Sequence, residues 1–305
     1  MFSALLLLIL VGVIWTITGI VMGGAARRGI SNEFMQCLSY ALGTVACIAL
    51  LPLYPGIKVK GKLAFFALGM YFLVGVLNFF LNLAMATAMK RGPNSMVWAI
   101  IQAGMLIPFI VGICLHDVHA GPLRLLGMFF MLVALALISM DKDSSGGASG
   151  KLWLLLSFMG FLIAGVQQSV ATEPSYYPEI RTGIPIIHRC LALCSGNLVA
   201  TLPFLLRQLS KGNFSLLRVE FEGKWLWLYA IALQASILIE KLFLSFRAMD
   251  IMAKLGSGAI SYPVMVISCI AAFTLYSIII LHEKVTWRST TGLVLCTLGI
   301  VMLSV

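Results

Sequence analysis

The 305-residue chain is 61% hydrophobic and only 10% charged, with a net charge of +10. A soluble domain runs at about 45–50% apolar and about 25% charged, and could not hide this much apolar surface. The composition excludes a soluble protein and predicts an all-α integral membrane protein. A basic balance in a soluble chain would suggest nucleic acid as a partner. Here the 21 Lys and Arg fall mostly in short polar gaps between apolar runs. Lipid head groups explain them there, so the bilayer is the expected partner, with no nucleic acid.

Ten apolar runs follow in chain order, at roughly 3–26, 34–54, 63–89, 93–115, 121–140, 152–171, 184–206, 225–247, 256–281 and 287–305. A bilayer core needs about 20 apolar residues as a helix. Lipid offers backbone groups no partner, so such runs become helices. The short alternating segments of a barrel are absent. No positive segment precedes the first run, and Arg27-Arg28 follow it. It reads as a retained helix rather than a cleaved signal. The cysteines Cys37, Cys47, Cys114, Cys190, Cys194, Cys269 and Cys296 all lie in or beside apolar runs. They read as small apolar filler, with no disulfide framework, metal site or cofactor implied.

Between runs five and six stands 141–151, containing Ser144-Ser145-Gly146-Gly147-Ala148-Ser149-Gly150. This is a flexible-linker composition. It divides the chain into a first five-helix unit, 1–143, a linker, 144–150, and a second unit, 151–305. The units repeat one another. A shift of 166 positions lays Gly92 on Gly258, Ser95 on Ser261 and His116-Asp117 on His282-Glu283. After a one-residue slip, Gly127 falls on Gly292. A repeat with an odd number of spans re-enters the membrane upside down. The expected fold is therefore ten transmembrane helices as two inverted five-helix repeats. This is the architecture of secondary transporters, with the solute site at mid-membrane between the repeats. The Lys and Arg bias between alternate loops is modest and sets the orientation only weakly.

The stretch Gly258-Ala259-Ile260-Ser261, then Leu281-His282-Glu283-Lys284-Val285-Thr286, then Gly292 and Gly299, resembles the carboxyl-terminal signature of EamA-type members of the drug/metabolite transporter superfamily. The first half is similar in Gly92-Pro93-Asn94-Ser95 and Leu106-Ile107-Pro108-Phe109, and Trp15 matches a mid-helix tryptophan of that family. The chain departs from the pattern near 271–273, where the family's proline is missing and Pro263 stands earlier instead. His116-Asp117 occupies a corner where glutamate is common. The resemblance implies a ten-helix transporter with a central cavity lined by spans one, three, four, six, eight and nine. It also implies a multi-pass place in a bacterial cytoplasmic membrane, as a monomer or homodimer.

A charge at mid-helix costs about 2.5–3.5 kcal/mol on insertion scales, so Glu240 and Lys241 in span eight are informative. Glu240 is the candidate proton-coupling carboxylate and Lys241 a charge in or beside the cavity. Adjacent helix positions point about 100° apart, so the pair is expected to look away from one another, each toward its own partner or water. Span three offers Asn78 and Asn82 on one face, with Asn78 the repeat partner of Lys241. Span four offers Asn94, Trp98 and Gln102, also four apart. Span six offers Gln167 and Gln168, span one Trp15 and Thr18, and span nine Ser261 and Tyr262. Amides and aromatics outnumber charges, which favours a neutral or zwitterionic solute such as a sugar or an amino acid.

The remaining features read as structure. Gly19 with Gly23 and Gly160 with Gly165 suit close helix approach. Pro108, Pro203 and Pro263 suit hinges or an opened turn. The two His-acid corners suit helix capping, and His188 and Arg189 an interfacial place. No Ser-His-Asp set, phosphate loop, HExxH or paired carboxylates occur, so the protein is not expected to be an enzyme. The expected function is secondary active transport of a small polar metabolite by alternating access, one half rocking against the other. A channel or lipid flippase is the alternative, and a membrane-embedded enzyme a weaker one.

Overall fold

The computed structural model describes residues 2–59, 61–115, 121–139, 151–210, 223–255, 261–282 and 286–304. The first-half corner His116-Asp117, the 144–150 linker, Gly258 and Glu283 lie outside the described residues. Among those described the chain is all helix and turn. The helices are α1 (Phe2–Arg27), α2 (Asn32–Leu50), α3 (Lys62–Met89), α4 (Asn94–Gln102), α5 (Leu106–Leu115), α6 (Pro122–Ser139), α7 (Leu152–Thr172), α8 (Pro178–Gly183) and α9 (Ile186–Ser210). They continue with α10 (Lys224–Ile239), a π-helical segment (Glu240–Ser245), α11 (Phe246–Lys254), α12 (Ser261–Ile279) and α13 (Trp287–Ser304). Six helical stretches are long and apolar enough to cross a membrane: Ser3–Arg27, Asn32–Leu53, Lys62–Met89, Leu152–Tyr176, Ile186–Arg207 and Lys224–Lys254. They mark an all-α, membrane-embedded protein. Shorter apolar stretches occupy Met96–Gly112, Leu125–Ala134, Val264–Phe273 and Thr290–Gly299.

Local chemistry fixes the ends. The α1–α2 turn is tight because Gly29 takes a left-handed φ of 72°. Its N–H reaches Ala26 O, and Ile30 N–H reaches back to Ala25 O. That double closure of the last carbonyls is the Schellman arrangement. Ser31 then caps α2, its hydroxyl accepting from Phe34 N. Between α4 and α5 the turn tightens to 3-10 geometry over Ala103–Met105, where Pro108 denies Gly104 its usual helical donor. Pro263 departs from the expected hinge. It occupies the first turn of α12, where a missing N–H costs nothing. His282 sits just past α12 with φ 53°, turning the chain at the second corner.

The main pairings are α1 with α12, α3 with α7 and α9, α2 with α9 and α10, α4 with α7, and α6 with α13. Replace each span-length segment by the one five along the chain. Then α1 with α12 becomes α7 with α4, and α3 with α9 becomes α10 with α2. The pairing of α3 with α7 becomes that of α10 with α1. The pairings α2 with α9 and α6 with α13 map onto themselves. Glycines let three of the contacts close to backbone distance. A Cβ on Gly75 or Gly196 would drive into the carbonyl of Leu193 or Phe72 across the α3–α9 contact. Gly12 does the same for α1 against the Met265 carbonyl of α12, and Gly165 of α7 lies against Gly104.

Arg189 is buried within the protein, 1% exposed. Its Nη1 donates to both carboxylate oxygens of Asp250 at 3.3 Å. Its other nitrogens donate to the carbonyls of Ile184 at 3.0 Å, Arg181 at 3.0 Å and Ile180 at 3.4 Å. The guanidinium caps the end of α8 while Asp250 balances its charge, the condition under which a buried ion is tolerated.

Candidate functional site

A cavity of about 130 Å³ lies among α1, α2, α3, α4, α7, α9, α10, α12 and the π-helical segment. Of the thirteen residues the sequence singles out, eleven line it: Trp15, Thr18, Asn78, Asn82, Trp98, Gln102, Gln167, Gln168, Glu240, Lys241 and Tyr262. Asn78 and Lys241, which the sequence alignment of the two halves was expected to pair, line the same hollow. Asn94 and Ser261 are not brought to it. Asn94 is buried at the start of α4 beside Gly23. Ser261 opens α12 in a separate small recess with Thr172, Ser175 and Tyr176.

The amide wall is a connected set. Gln167 donates to Asn78 Oδ1 at 3.1 Å, and Asn78 donates to the Tyr40 hydroxyl. Asn82 donates to Gln36 Oε1 at 3.1 Å, and Gln36 donates to Phe79 O at 3.5 Å. Gln168 is buried, and among the described residues its Oε1 has no donor. A buried acceptor of this kind takes a hydrogen from water or a solute.

The aromatic wall is held by sulfur. Trp98 stacks on Phe273, ring centroids 5.1 Å apart, and its Nε1 donates to Cys269 Sγ at 3.3 Å. Gln102 Nε2 donates to the same sulfur at 3.8 Å. Cys269 is therefore more than the apolar filler its sequence setting implies. Trp15 meets Tyr262 at 6.2 Å.

The two charges are arranged otherwise than expected. Lys241 Nζ lies 3.2 Å from Glu240 Oε1 and 3.1 Å from Oε2. In an α-helix neighbouring side chains diverge. Here the pair opens a π-helical segment, whose wider turn brings successive positions closer in direction, and the flexible lysine stem curls back. The pair is neutral as a unit, which lowers the cost of burying either member. It is also lopsided. The Glu240 side chain is 2% exposed and that of Lys241 20%, so the lysine is the more accessible of two residues that both line the cavity. The ammonium also lies 5.8 Å from the Trp15 ring and 5.7 Å from the Phe246 ring.

Sequence reasoning missed the contribution of α2. Tyr40 lines the cavity, Gln36 braces Asn82, and Ser39 donates to Gln234 Oε1 at 3.3 Å. The signal was available as three polar residues at i, i+3 and i+4 inside an apolar run. Leu193 of α9 and Ser236 of α10 were also unmarked. Among the described residues no group of three His, Cys, Asp or Glu is set for a metal ion.

No protein-family model and no curated protein sequence matches the chain. Among solved structures, 28 chains match. One, a crystal structure of a protein, is similar with a TM-score of 0.60 at 16% identity, over 98% of this chain and 96% of its own. At that identity the likeness shows a shared fold over almost the full length of both chains.

Proposed function

We propose that the protein is a secondary active transporter for a small polar metabolite, of sugar or amino-acid size, working by alternating access. One observation carries the reading. Eleven polar, charged or aromatic residues from six separated spans converge on a single interior cavity. Polar groups in a bilayer are costly and collect where a solute or ion passes. An enzyme would need a reactive set at one face, and the cavity offers amides and one closed ion pair instead.

The proposal includes ten membrane spans in two inverted halves, 1–143 and 151–305, in the manner of EamA-type drug/metabolite transporters. Its support is the exchange of helix pairings under a five-segment shift together with the residue matches at the second corner. A bacterial cytoplasmic membrane is the proposed location. Glu240 is the proposed proton carrier, as the acid of the cavity wall.

Reconstitution in liposomes tests this. Expected are saturable uptake and counterflow of a labelled solute. Flux without either points to a channel. Uptake driven by a pH gradient is expected to lose that drive in Glu240→Gln, and an unaltered pH response in that variant ends the case for proton coupling.

A further inference from the structure

In the sequence, amides and aromatics outnumber charges and favour a neutral or zwitterionic solute, with Glu240 and Lys241 expected to face apart. Their actual geometry points elsewhere. Lys241 is the more exposed member of the pair, and Glu240 is almost wholly buried. A solute cation finds the Glu240 carboxylate already paired with Lys241. A solute anion finds Lys241 Nζ directly, with Trp15 and Phe246 beside it. Gln168 of α7 also lines the cavity, and among the described residues its buried Oε1 has no donor. The nearby amides of Asn78, Asn82 and Gln102 already have protein partners.

Resting on the reading of this cavity as the solute site, we infer that the solute is a small monocarboxylate bearing a hydroxyl or N–H donor, and that it binds by taking Lys241 from Glu240 as Glu240 takes up a proton. Before binding, the carboxylate and ammonium sum to zero. A solute carboxylate brings one negative charge. Two carboxylates about one ammonium leave the site with one uncompensated negative charge, which is costly away from water. One proton from the aqueous side onto Glu240 returns the site to neutrality. The solute's carboxylate then pairs with Lys241, its donor with Gln168, and its apolar part with the Trp15 and Trp98 faces. Among the described residues, the other ionisable groups whose fields reach the pair include Tyr40 from α2, Cys190 from α9 and Tyr262 from α12. Tyr71 of α3 lies next beyond, and Arg189 of α9 is already bound to Asp250 of α11. α1 carries no ionisable side chain before Arg27. None of these is a second open cation to compete with Lys241 for the anion.

Purified full-length protein in detergent tests this without any transport measurement. The probes are lactate, mandelate and 3-phenyllactate, each with its neutral amide, and alanine, phenylalanine and glucose. At least one acid is expected to raise the melting temperature while its amide does not. Its Kd should rise about tenfold per pH unit between pH 6 and 8, the signature of one linked proton, and binding should draw one proton from a weakly buffered solution. Glu240→Gln is expected to bind the same acid more tightly, with Kd flat across that range and no proton uptake. Lys241→Met should bind none. A merely structural pair would lower the melting temperature in both variants without making the acid's affinity independent of pH. The inference is overturned if no acid binds, if amides, amino acids or glucose bind as well as the acids, or if Glu240→Gln keeps the pH slope. Saturable counterflow of glucose would overturn it while leaving the transporter reading intact. Acid binding with no counterflow of any acid would do the reverse.

Discussion

Cys269 shows how much one atom organises. Its sulfur is the acceptor for both Trp98 Nε1 and Gln102 Nε2, and it fixes an aromatic and an amide on the cavity wall at once. Cys269→Val keeps the volume near constant and removes the acceptor. A buried donor left without a partner costs about 1–3 kcal/mol, so the variant should melt several degrees lower. Cys269→Ser keeps an acceptor and should recover most of the loss, read by thermal unfolding of purified protein. Trp98 and Gln102 were legible because four-residue spacing inside an apolar run puts polar groups on one helix face. Cys269 was not, since a cysteine among apolar residues carries no pattern of its own. Glu240 and Lys241 were legible as costly charges. Their mutual geometry was not, because it depends on a local widening of the helix that no residue spacing announces.

At the scale of the element, the informative glycines are those that touch backbone. The Gly19 and Gly23 motif looks like a helix-contact signature, yet Gly19 meets the ring of Phe273 and Gly23 the amide of Asn94. The close α3–α9 crossing rests on Gly75 and Gly196, which form no recognisable motif. Neither carbonyl across that contact is free to move as a side chain is. Gly75→Ala and Gly196→Ala should each destabilise by about 1–3 kcal/mol, the usual range for overpacking. Gly69→Ala, also in α3, meets open space. It should be neutral or stabilising by about 0.5–1 kcal/mol, through helix propensity alone. Comparing the three unfolding midpoints separates the contact from the propensity. The six long apolar helices were legible in the sequence, since apolar length dictates them. Which face touches which neighbour was not, because a helix that is apolar all round offers no stripe to read.

For the molecule as a whole, the sequence repeat and the helix pairings bear on the same question. If the halves are inverted, equivalent loops emerge on opposite sides of the membrane. Lys90 follows α3, and Lys254 ends α11, its counterpart in the second half. In a cysteine-free background, Lys90→Cys and Lys254→Cys should react with an impermeant thiol reagent from opposite faces of sealed vesicles. Labelling from one face would mean parallel halves. The expected repeat was read from a few glycines and a corner. The seam was not, because contacts between distant helices leave no mark in local composition.

The backbone-close glycines also say what can move. They tie α1 to α12, α3 to α9, and α7 to the turn at Gly104. Each tie joins a helix encoded before the linker to one encoded after it. Sliding residues 1–143 as one solid past residues 151–305 would have to shear all three. The rigid bodies available to this protein are therefore hybrids, each assembled from helices on both sides of residues 144–150, so the plane along which the bundle can move is not the one at which the sequence divides.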